Sequence, residues 1–144
     1  MSDFMRKARL IALILVMLLL FSGGVWSYVT FRKWEASQKE RTLYAEVDQL
    51  FEAFHKYKRV VGKYPQGSNA EIAKAIREGD NEKHLMIMAV KDSQLNAKGE
   101  IVDPWGTPLK IYFAQNEVLI RSAGPNKQFE DAKAPGCDDY FRSD

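Results

Sequence analysis

Cysteine occurs once, at Cys137, and histidine twice, at His55 and His84. A single thiol excludes an intrachain disulfide and any metal site built on paired cysteines. Two histidines exclude a multi-histidine metal centre and leave a Ser-His-Asp triad without support. The chain also has no Gly-rich phosphate loop, no Gly-x-Ser-x-Gly elbow and no His-Glu-x-x-His pair. These absences argue against an enzyme and against a small-molecule substrate. The net charge of +2 comes from 21 basic and 19 acidic residues with no basic block, so nucleic acid is not an expected partner. Acid is missing altogether from Phe4 to Lys33.

Within that acid-free stretch, Leu10 to Val29 is almost wholly apolar. About 20 such residues are what a helix needs to cross a bilayer. The run is long for a removable signal peptide, so it reads as a retained anchor. Arg6, Lys7 and Arg9 precede it and Arg32 and Lys33 follow, a bias of one cation toward a cytoplasmic N-terminus. Trp26 and Trp34 fit the membrane interface, where amphipathic rings collect. The expected organisation is a tail and transmembrane anchor over 1–33 and one globular domain over 34–144. The roughly 110 residues outside lipid suffice for one small core.

Helical spacing then resumes. Leu43, Val47, Leu50, Phe51, Phe54, Tyr57 and Val61 recur at steps of three and four, which places them on one stripe that must pack against something. Tyr44, Phe51, Phe54 and Tyr57 are read as core rather than as a ligand platform. Either one long helix bends at Gly23-Gly24 or two helices meet near Trp34. Gly62, with Pro65 beyond it, supplies the stop. Ser68-Asn69-Ala70-Glu71 has the spacing of a capping box, so a short helix starts there and ends by Gly79. Leu85 to Val90 is apolar without a period and stays open between strand, buried loop and helical turn.

Asp103-Pro104-Trp105-Gly106 fits a type I turn, with Pro second and Gly fourth and Trp105 as a large anchor beside it. Leu109, Ile111 and Phe113 alternate with Lys110 and Tyr112. Val118 and Ile120 alternate with Leu119 and Arg121, across the connector Ala114 to Glu117. An antiparallel hairpin follows, with one face on the helix and Lys110, Tyr112 and Arg121 turned to solvent. The expected class is α+β: a long N-terminal transmembrane and amphipathic helix, a short second helix and a small antiparallel sheet.

This order of elements, with Asp103 to Pro108 and Ser122 to Asn126 as its most specific segments, resembles the major pseudopilin of type II secretion from Leu43 onward. The resemblance implies a pilin-like head facing the periplasm on a helical stalk. It implies assembly with homo- or hetero-oligomeric pilin-like subunits from the bacterial inner membrane, and no catalysis. That family is normally processed after a Gly that precedes a Phe and carries a Glu at the fifth mature position; neither is present here. An intramembrane carboxylate is kept where it pairs with something, so the usual subunit contact is missing. The alternative is a membrane-tethered binding module with the same head that does not polymerise.

Relatives of this kind often hold calcium in the loop after the last hairpin. By that resemblance Asn126 stands where an Asp is usual, Asp138 and Asp139 match the closing acidic pair, and Asp131 is an additional candidate ligand. Asn126 lacks charge and Lys127 and Lys133 add the opposite sign, which leaves a solvated acidic loop as the competing reading.

Overall fold

The apolar stripe and the two glycine stops define the first elements. In the computed structural model, which describes residues 2–79 and 81–144 and, of their side chains, all but those of 2–12 and 16, helix α1 runs Ser2–Val61. The side chains of the tail cations Arg6, Lys7 and Arg9, and the whole of Asp80, lie outside the described residues. Helical structure continues through Gly23-Gly24 and past Trp34, so of the two alternatives the chain takes the single helix. Two compact units emerge, Met1–Gln38 and Lys39–Asp144.

In the first unit every described side chain from Leu13 to Trp34 is exposed, including Leu18, Leu19, Phe21 and Trp26. A helix with all its backbone groups paired and apolar side chains all round has lipid as its fitting solvent. It is long and apolar enough to cross a membrane.

In the second unit, Leu43, Val47, Leu50, Phe51, Phe54 and Tyr57 are buried as their spacing requires. Tyr44 is not; it stays about half exposed and meets Tyr140 edge-on, because it lies one position off the stripe. Gly62 takes φ +94°, a value a glycine adopts freely, and its N–H donates to Lys58 O as the helix ends. Helix α2 spans Asn69–Arg77 behind the expected capping box: Ser68 Oγ accepts from Glu71 N, and Glu71 Oε2 accepts from Ser68 N at 2.6 Å. Ile72 and Ile76 turn its apolar edge into the core.

The open segment Leu85 to Val90 takes neither helix nor strand. Ile87 and Met88 both donate to Ile76 O, and Ile87 and Val90 are buried. Strands β1 (Lys110–Phe113), β2 (Val118–Ser122) and β3 (Tyr140–Ser143) form one antiparallel sheet in the order β1-β2-β3. The register sets Lys110 opposite Arg121 and Arg121 opposite Phe141. Val118 and Ile120 fill the core face, and Phe113 meets Phe54 edge-on at 5.1 Å. Arg121 corrects the sequence expectation: it points outward but not into solvent, because the chain after β2 folds back over that face.

Candidate functional site

Two segments carried the most specific signals, and the fold brings them into one buried junction. Asp103 O accepts from Gly106 N at 2.8 Å, closing the expected turn. Asp103 Oδ1 then accepts from Trp105 N at 3.0 Å and Thr107 N at 2.9 Å. Its other oxygen accepts from Ser122 Oγ at 2.8 Å, and Ser122 Oγ in turn accepts from Gly124 N at 3.1 Å. Asp103 and Ser122 are only 3% and 1% exposed. A carboxylate can be buried when donors from backbone and hydroxyl surround it, and this one has three. The turn at Trp105 and the loop after β2 are thereby fixed to each other across 19 residues of sequence.

Gly124 belongs to the same junction. It sits at φ +64°, and a Cβ placed there would collide with the Asp138 carbonyl oxygen. The glycine lets the end of the loop return against its start. Between them run three turns, closed by Lys127 N to Gly124 O, Ala134 N to Asp131 O and Cys137 N to Ala134 O.

The four candidate calcium ligands are engaged with different partners in these turns. Asn126 Oδ1 accepts from Gln128 N and Asp131 Oδ1 from Lys133 N, each serving its own turn. Asp138 Oδ2 accepts from Asn126 N at 3.2 Å, and Asp138 Oδ1 is buried without a hydrogen-bond partner. Asp139 is taken by Arg121, with Nε 2.5 Å from Oδ2, and its Oδ1 accepts from Glu130 N. Among the described residues the donors that converge are Glu130, Cys137 and Asp139, whose ligand atoms lie within 4.8 Å of one another. Of the predicted four only Asp139 is in that group.

Calcium selects six to eight oxygens, whereas this group offers two carboxylates, one of them held by a guanidinium, and a thiol. Glu130 Oε2 is buried and unpaired, but Asp138, whose Oδ1 is the other unpaired carboxylate oxygen among the described residues, does not join the group. With Arg121 holding Asp139, this arrangement does not fit calcium. Glu130 and Cys137 escaped the sequence reading because nothing in their spacing announces that successive turns would stack them beside Asp139.

The two histidines have ordinary surroundings. His55 packs edge-on against Phe51, with Nδ1 3.4 Å from Tyr64 Oη and Nε2 3.0 Å from Asp144 Oδ1, the latter a close contact off the hydrogen-bond line. Tyr64 is held above the usual phenol range by burial first and by the Asp144 charge second. His84 is exposed, in a turn whose backbone is organised by the Asn81 side chain. Comparison with family models, curated proteins and solved structures finds no match to this chain.

Proposed function

We propose that the chain is a membrane-anchored, pseudopilin-like structural subunit or accessory component of a type II secretion or type IV pilus-like apparatus. It works by assembly and not by turnover. The observation that carries this reading is the Asp103–Ser122–Gly124 junction: the two segments on which the resemblance rests are joined through one buried carboxylate. The α+β head behind a helix long and apolar enough to span a membrane supports it further. In this reading the N-terminus is cytoplasmic, the head lies outside the inner membrane, and the partners are pilin-like subunits of the same or another chain.

A second reading, a tethered binding module that does not polymerise, is favoured by one specific fact. No carboxylate lies between Phe4 and Lys33 to pair with a neighbour's amino terminus. Crosslinking separates the two. With Cys137 replaced by Ser, single cysteines at the exposed positions Leu13 to Leu15 and Met17 to Leu20 should yield disulfide-linked oligomers in native membranes. Monomer alone at every position would eliminate the assembling subunit and leave the binding module.

A further inference from the structure

We infer that Arg121 is the resident cation of the loop between β2 and β3, closing it in the role a divalent metal ion would otherwise take. The starting point is Asp139, whose side chain is completely inaccessible. A carboxylate so placed needs a cation or a proton, since burial without either costs far more than a small head can absorb. Arg121 supplies the charge from the neighbouring strand. Its Nε lies 2.5 Å from Asp139 Oδ2, and its Nη2 donates to the Glu130 carbonyl oxygen. One planar group thus ties the end of the loop to its middle, using the fork geometry that makes arginine, unlike lysine, a two-point clamp.

The surroundings fit a permanent occupant. The guanidinium carbon lies 5.2 Å from the Phe129 ring centre and 5.0 Å from that of Phe141, one ring from the loop and one from β3. Both rings offer their faces to a cation. Lys110 stands opposite Arg121 in the sheet, and two like charges so placed repel. Phe129 also receives Lys110 Nζ at 3.9 Å from its centre, and Asp139 neutralises Arg121, so the pair is accommodated. With Arg121 in place, one carboxylate oxygen and one carbonyl that a metal would need are already engaged. The inference concerns the head alone and holds whether or not the chain assembles.

The test uses the full chain in detergent micelles. Thermal unfolding of the head and amide exchange over residues 123–143 are followed with EDTA, with millimolar calcium chloride and with micromolar zinc chloride. Wild type is expected to melt within about 1 °C under all three conditions. Arg121→Gln is expected to melt about 10 °C or more lower in EDTA, with faster exchange across the loop. Calcium should restore at least half of that loss, because removing the guanidinium frees Asp139 and the Glu130 carbonyl for a metal ion. Should Arg121→Gln fail to accumulate, Arg121→Lys keeps one contact, and it is expected to lose about half as much and to ignore calcium. A rise of several degrees in wild type with calcium or zinc overturns the inference. So does an Arg121→Gln loss that calcium leaves untouched, which is what a packing role alone predicts.

Discussion

Asp103→Ala tests the junction on which the proposed function rests. The change strips the acceptor from Trp105 N–H, Thr107 N–H and Ser122 O–H together. Each buried donor left unmatched costs about 1–3 kcal/mol. Trp105 and Thr107 are only partly buried, so water recovers part of their loss, whereas Ser122 is 1% exposed and recovers little. The sum is about 3–4 kcal/mol, a large share of the roughly 5–15 kcal/mol that holds a domain together. Asp103→Asn keeps one carbonyl oxygen for the two amides and turns an NH₂ toward Ser122 Oγ, so it should cost about 1–2 kcal/mol. The assay is urea unfolding in a Trp26→Phe, Trp34→Phe background, where Trp105 is the remaining indole. With a slope of about 1.5 kcal/mol per molar, Asp103→Ala should lower the midpoint by about 2 M and Asp103→Asn by about half of that. Combined with Ser122→Ala, the alanine change should cost about 1–2 kcal/mol less than the sum of the singles, since both remove the same bond. An alanine midpoint within about 0.5 M of the parent, or equal losses for Asn and Ala, would refute the account of a buried, fully satisfied carboxylate.

Two further changes probe the head elsewhere. Gly124→Ala meets both the positive φ and the Asp138 carbonyl oxygen, so it should destabilise by about 2 kcal/mol or more and accelerate exchange in β3; unchanged β3 exchange would mean that the loop does not return as closely as described. Glu46 has its carboxyl held above the ordinary 4.5, first by burial and against the opposing effects of Gln94 and Lys91. Its folded form therefore prefers the proton, a penalty present at neutral pH and relieved as pH falls through the raised value. Glu46→Gln should be more stable than the parent at pH 7, with the gain vanishing below pH 4.5. Parallel stability curves for the two proteins would contradict it.

Much of the architecture was legible because local rules happen to agree with the final packing. The stripe from Leu43 to Tyr57, the Ser68–Glu71 box, the Gly62 stop and the alternation around Ile111 and Ile120 each state their own burial. Strand β3 was not legible: Tyr140 to Ser143 is four residues long, carries a charge and has a half-exposed pattern, and it becomes a strand only because β2 offers it an edge. The run before Val90 is similar, since its backbone is held by Ile76 O, Lys56 Nζ and the Asn81 side chain and not by a pattern of its own. Glu130 and Cys137 show the same limit in the loop, where side chains meet through stacked turns and not through spacing.

By itself the sequence determined the uncharged span at the N-terminus, the helical stripe, the turn positions and the poverty of reactive groups, because each depends on residue type and on neighbours a few places away. Only the tertiary structure decided that Asp103 closes onto Ser122 and that Arg121 faces Asp139 instead of water. Both are contacts between segments about twenty residues apart, and a buried charge has no local signature: its partner is chosen by which elements the hydrophobic core brings together.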